Sequence, residues 1–144
     1  MAEQYVVDAS VLCQLFITQE HTPQTERFFT NVPALYEVFV PEMCLVECTN
    51  VFWKHTCFHG LPAVEATQLV QDLVALPLQI VPSRTLLTEA LTIGVQNRLP
   101  VYDSLYIALA QGLSKPLISD DKRQCEVAVD MGLEIIAITE FLLQ

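Results

Sequence analysis

Short apolar runs that stop abruptly at an acid or a proline alternate along this chain with longer stretches of helical periodicity. That alternation is the strongest constraint on its fold. Gln4-Tyr5-Val6-Val7 reads as a strand ended by Asp8, and Val11, Leu12, Leu15 and Phe16 predict a helix from Ser10 to Gln19. Pro23, with Thr22 as cap, starts a second helix through Phe28 and Phe29. Tyr36 to Val40 is the next strand, and Pro41 opens a long helix from Glu42 to about Cys57. Beyond the Gly60-Leu61-Pro62 break lies an amphipathic helix, Ala63 to Leu76. Strand Leu78–Val81, helix Thr85–Asn97, helix Asp103–Gln111, strand Pro116–Ser119, helix Lys122–Met131 and strand Glu134–Ile138 complete the pattern. Such alternation predicts an α/β fold whose central, mainly parallel sheet of four to five strands is covered on both faces.

The 144 residues fit one ordinary domain spanning 1–144, and 52% hydrophobic against 17% charged residues indicate a chain with a real core. No apolar run is long enough to cross a membrane, and the N-terminal residues lack the basic start and apolar stretch of a signal peptide, so a cytoplasmic location is expected. Five irregularly spaced cysteines then read as buried thiols rather than a disulfide framework. Cys44, Cys48, Cys57, His55 and His59 offer zinc-type atoms, but without a CxxC pair the cysteines are better read as small apolar core residues. The isolated glycines exclude a phosphate-binding loop.

In open α/β sheets ligands bind beyond the carboxyl ends of the strands. Asp8 ends the first strand, Asp120 and Asp121 end the fourth, and Asp103 starts the helix just before it. Glu47 lies inside the apolar segment MCLVECTNVFW, where a lone acid is costly unless compensated. Helical spacing sets Glu47, Asn50 and Lys54 on one face. An oxygen-rich set of this kind suits Mg2+ or Mn2+ better than zinc. On position alone Asp8 serves equally well as a cap for the helix at Ser10, Asp103 sits where an N-cap belongs, and Ser10 and Ser119 fit turns. The formal charge of −10 argues against phosphate-driven binding of nucleic acid, unless several acids share bound cations, and it favours a basic protein partner.

Four segments, VVDAS, VPEMCLVECTNVFWK, LPVYDSLYIALA and LISDDKR, together resemble the PIN domain, particularly the small VapC-type toxins of bacterial toxin–antitoxin pairs. The resemblance implies a three-layer α/β/α fold and a metal-dependent endoribonuclease with one or two Mg2+ or Mn2+ ions. Asp8, Glu47, Asp103 and Asp121 would hold the metal, with Asp120 at the variable position of the last motif as a substitute ligand. Ser10 and Ser119 would be the supporting hydroxyls. Lys54, Lys122 and Arg123 would meet the phosphate of an RNA substrate, leaving a 5′-phosphate and a 3′-hydroxyl. A basic antitoxin and a homodimer are the implied partners, for which Phe16, Phe28 and Phe29 are candidate contacts, although the same rings fit the core equally well. Two other readings are a PIN-like binding module without catalysis and a phosphoacceptor receiver-like domain. The receiver fits poorly, because its paired acids should come early in the chain and here they come late.

Overall fold

The computed structural model describes residues 1–141. Val6 and Val7 are fully buried, as are Val38, Val40, Leu117 and Ile118. Runs apolar on both faces are what a parallel sheet covered by helices requires. The strands are β1 (Glu3–Val7), β2 (Tyr36–Pro41), β3 (Gln79–Val81), β4 (Leu117–Ile118) and β5 (Ile135–Ile136). All pairings are parallel, in the order β3-β2-β1-β4-β5. The flanking helices are α1 (Ala9–Leu12), α2 (Thr22–Thr30), α3 (Met43–Phe58), α4 (Ala63–Ala75), α5 (Leu87–Asn97), α6 (Val101–Leu113) and α7 (Lys122–Asp130). This is the expected three-layer α/β/α arrangement.

Successive strands step to one side from β1 to β2 and to the other side from β1 to β4, so the order reverses between β1 and β4. A crevice opens at such a reversal, beyond the carboxyl ends of the strands. Register sharpens the point: Val7 pairs with Ile118. The residues immediately after them, Asp8 and Ser119, are thereby brought side by side.

Several expectations are corrected. The helix expected from Ser10 to Gln19 is only α1, followed by a 3-10 turn at Cys13–Leu15. The Thr22 hydroxyl donates to the Gln14 carbonyl at 2.8 Å and accepts from Gln19 N–H at 2.8 Å, folding the chain back there. With its hydroxyl so used, Thr22 is not a cap but the first residue of α2, and His21 precedes it. The helix expected from Thr85 begins as a 3-10 turn at Ser83–Leu86, and the last strand is confined to Ile135–Ile136. Asp103 is not an N-cap either. Pro100, extended at ψ 148°, precedes α6, and Asp103 is the third helical residue. Phe28 is fully buried in an aromatic cluster with Tyr5, Phe29, Tyr36 and Phe141, while Phe16 packs edge-on against Phe52. Phe28 is core and offers no surface to a partner, whereas Phe16 and Phe29 are half-buried against the core.

Gly94 lets α5 and α6 pack closely. A Cβ there would stand 2.6 Å from the Leu99 carbonyl oxygen and 3.3 Å from Ser104 Oγ on α6. Both α5 and α6 are closed by a left-handed residue, Arg98 and Ser114 respectively. Among the described residues no helix is long and apolar enough to cross a membrane.

Candidate functional site

Asp8 leaves β1 with its side chain nearly covered, 3% exposed. One carboxylate oxygen, Oδ1, accepts from Ser10 Oγ at 2.7 Å and from Val11 N–H at 3.2 Å, so it caps α1. The other, Oδ2, accepts from Ser119 Oγ at 2.5 Å and from Gln124 Nε2 at 3.0 Å. Burial pushes its pKa up to about 6, against the lowering effect of Ser119, Ser10 and Val11, and the charge of Asp121 pushes the same way as burial. A cap of an exposed helix would not need four donors, so the capping role does not exhaust what this residue does.

Glu47 projects from the second turn of α3 and accepts from the Tyr106 hydroxyl at 2.9 Å. Burial raises its pKa to about 7; the Tyr106 bond lowers it, while the charges of Asp103, Asp8 and Asp121 raise it further. Asp103 is also held above its usual range, first by burial and then by Asp121. Four carboxylates from four separate segments thus feel one another across a single cavity of about 770 Å³, and Lys54 is the only Lys or Arg among its lining residues. Asn50 lines it too, as the shared face with Glu47 and Lys54 predicts.

The two adjacent aspartates part company here. Asp121 caps α7, accepting from Gln124 N–H at 2.9 Å, and its own N–H donates to Ser119 Oγ at 3.0 Å. Its charge acts on Asp8, Glu47 and Asp103 alike. Asp120 lines the cavity, but its Oδ2 accepts from Gln14 Nε2 at 2.7 Å and lies 2.9 Å from His21 Nδ1. That bond to Asp120 is the main reason the His21 pKa is raised. Ser10 joins the two systems, donating to Asp8 and accepting from Asp120 N–H at 2.9 Å.

Lys122 and Arg123 lie away from this cavity. Arg123 donates to the Asn97 carbonyl at 2.6 Å and stands 3.8 Å from Glu126, while Lys122 borders a separate pocket with Cys125, Glu126, Val129 and Asp130. The first turn of α7 turns both cations outward, because its inward stripe is Gln124, Val127 and Ala128. Gln124 was overlooked in the sequence although a polar residue on an apolar stripe is a signal. Tyr106, Gln14 and His21 gave none, since their roles depend on distant segments meeting. The zinc-type set does not assemble. Cys13, Cys44 and Cys48 are buried together, with Cys13 Sγ 3.1 Å from Cys48 Sγ, whereas Cys57 is exposed.

The donor atoms around the cavity are oxygens, which suit a hard divalent ion, and the mutual repulsion of the acids calls for a cation. In the conformation described, no three Asp, Glu, His or Cys side chains stand close enough to hold one ion, among the described residues. The set fits such an ion in chemistry and in charge, and gathering three of the acids around one ion requires their side chains to move closer than they stand here.

Comparison with known proteins agrees with this architecture. Ribonuclease VapC3 of Pyrobaculum aerophilum is 27% identical over 123 residues, covering 84% of this chain and 92% of the relative. The crystal structure of PAE2754 from Pyrobaculum aerophilum shares the fold, with a TM-score of 0.72 at 20% identity over 97% of this chain and 94% of that one. VapC20 of Mycobacterium tuberculosis, a Sarcin-Ricin loop cleaving toxin, aligns with a TM-score of 0.66 at 14% identity over 85% of this chain and 93% of its own. VapBC2 of Rickettsia felis, bound to a promoter DNA fragment, gives 0.64 at 14% identity, covering 93% and 98%. The sequence profile of the PIN domain matches residues 5–130, and the chain belongs to the PIN domain family.

Proposed function

We propose that this chain is a metal-dependent endoribonuclease and the toxin of a toxin–antitoxin pair. The observation that carries this reading is the cavity at the β1/β4 crevice, where Asp8, Glu47, Asp103 and Asp121 converge from four segments with Lys54 as the one cation in the lining. The ribonuclease name of a relative 27% identical over most of both chains supports the same class of reaction. A Mg2+ or Mn2+ ion held by these carboxylates would supply Lewis acidity toward the phosphodiester and lower the pKa of a bound water.

The chain's own groups have separable tasks. Ser119 and Gln124 hold Asp8 Oδ2 from one side, and Ser10 holds Oδ1 from the other. Tyr106 fixes Glu47, and the charge on Lys54 offsets that of a phosphate entering past Asn50. Asp121 serves as the acid of the last motif, with Asp120 restrained by Gln14 and His21 as its reserve. A protein antitoxin is the partner supported by a toxin–antitoxin complex from Klebsiella pneumoniae that shares the fold with a TM-score of 0.55, and by the acidic charge of −10.

The test is cleavage of end-labelled RNA by purified protein with Mg2+, Mn2+ or EDTA. Cleavage should require the metal and be lost in Asp103→Asn without loss of helical circular dichroism. No cleavage with either ion, together with metal binding by Asp103→Asn equal to wild type, would leave only a binding module.

A further inference from the structure

The cavity is larger and less polar than its acids require. About 770 Å³ is within the range that takes a whole organic ligand, far more than a phosphate and its cation. The surplus wall is formed by Tyr102 at the start of α6, one residue before Asp103, and by Met43 and Val46 on α3. Tyr102 is 55% exposed and Val46 59% exposed, so these surfaces face solvent at the cavity. Among the described residues the Tyr102 hydroxyl has no hydrogen-bond partner, which leaves the ring free to meet a ligand.

Charge narrows what the surplus wall can bind. With five acids and one lysine in the lining, and Arg123 tied to Asn97 and Glu126, few cations are available to neutralise phosphates. Phosphate contacts drive most nucleic-acid binding, so beyond the one phosphate that Lys54 and an ion at the acids would meet, a strand entering here finds its remaining contacts through its bases. An exposed aromatic ring does this with an unpaired base, whose face stacks on it, and not with a base inside a duplex.

We propose that Tyr102 is a base-stacking platform, with Met43 and Val46 enclosing the base, so that the ligand is single-stranded RNA with one unpaired nucleobase beside the acid cluster. The inference rests on the nuclease reading for the identity of the ligand. Its geometry is economical, because the neighbour of Asp103 grips the nucleotide adjoining the phosphate that the acids face.

The experiment is fluorescence anisotropy with the full chain in Ca2+, comparing a labelled single-stranded RNA octamer with an abasic strand of the same length, strand integrity being checked on a gel. Wild type should bind the base-bearing strand about tenfold tighter or more, as one stacked base provides. A plot of log affinity against log salt should have a slope of about −0.7 to −1.4, as one or two phosphate contacts on a single strand give. Tyr102→Ala should lose the preference while Tyr102→Phe and Tyr102→Trp keep it. Equal binding of both strands by wild type, binding of neither, or full preference in Tyr102→Ala overturns the inference. The last result is what a ring that pairs only with protein would give. With cleavage read separately in Mg2+, cleavage by wild type despite equal binding in Ca2+ would end this inference and leave the nuclease reading standing; base-dependent binding in Ca2+ without cleavage in Mg2+ would do the reverse.

Discussion

In the metal-free protein Asp8→Asn should stabilise the fold at neutral pH, by an amount set by burial. Asp8 is 3% exposed, and its pKa lies at about 6 against an ordinary 3.8. Because the folded value is the higher one, the folded chain keeps a proton that the unfolded chain loses once pH rises past about 4. The stability contributed by that proton is complete below about pH 4 and gone above about pH 6. At about 1.4 kcal/mol for each pH unit between the two values, the loss is about 3 kcal/mol. Glu47, raised to about 7, has the same sign over a slightly higher window, with less weight because it is only partly buried.

Asparagine removes the charge and keeps the shape. Its amide oxygen can accept from Ser10 and Val11, which leaves its NH2 facing Ser119 and Gln124. The serine hydroxyl can rotate to accept, and Gln124 can turn its amide over so that Oε1 accepts. Urea unfolding of both proteins in EDTA, from pH 4 to 8, reads the difference directly and cancels other titrating groups. The difference should move by about 3 kcal/mol in favour of asparagine between pH 4 and 7, then level off. Mg2+ at a hundred times its Kd at pH 8 should add about 2.7 kcal/mol to wild type and little to the variant, closing the gap. A difference independent of pH, or one that moves in favour of aspartate as pH rises, refutes the reasoning.

Other outcomes follow from the same contacts. Gln124→Leu removes the N–H that reaches Asp8 Oδ2, so Mn2+ affinity measured calorimetrically at pH 7 should fall about tenfold to hundredfold with the helical signal intact. Tyr106→Phe removes the bond that lowers the Glu47 pKa. A hydrogen bond to a charged group is worth about 1.5–3 kcal/mol, so the acid limb of the pH–rate profile should move up by about one pH unit or more. Asp121→Ala should abolish RNA cleavage, whereas Asp120→Ala should retain most of it and let the His21 pKa, followed by NMR, fall toward its ordinary 6.5. Equal losses in the two alanine variants would mean that Asp120 and Asp121 share one role.

The parts legible in the sequence are those governed by local repetition. The fully apolar runs at Val6-Val7 and Leu117-Ile118 announced buried parallel strands, and the long helices α3 and α4 announced themselves by period and by flanking prolines. The acids at the strand ends were readable for the same reason, since strand ends mark the crevice. What escaped was set by contacts between distant segments. Tyr106 meets Glu47 across 59 residues, and Gln124 meets Asp8 across 116. No local period encodes such meetings. The early end of α1 has the same origin, because the Thr22 hydroxyl claims the Gln14 carbonyl from eight residues away. Lys122 and Arg123 looked like phosphate contacts because adjacency in the chain suggests adjacency in space, and the first turn of α7 points them elsewhere.

The adjacent aspartates show how the fold resolves a conflict that the sequence poses. Two neighbouring carboxylates repel, and in one conformation both cannot be satisfied by the same donors. The chain separates them at the start of α7, where residue 121 takes the cap conformation at φ −79°, ψ 109° and residue 120 belongs to the turn before it. Asp120 then finds a buried amide and an imidazole, Gln14 and His21, supplied by the same backbone reversal that cuts α1 short. Asp121 keeps the helix cap and the company of Asp8, Glu47 and Asp103. The broken helix and the split pair are therefore one feature. Loosening the Gln14–Thr22 fold-back, as Thr22→Val would do by removing the hydroxyl from both of its bonds, should release Asp120 from Gln14 and His21, which NMR would read as a His21 pKa falling toward 6.5; an unchanged His21 pKa would show that the fold-back does not hold the split pair.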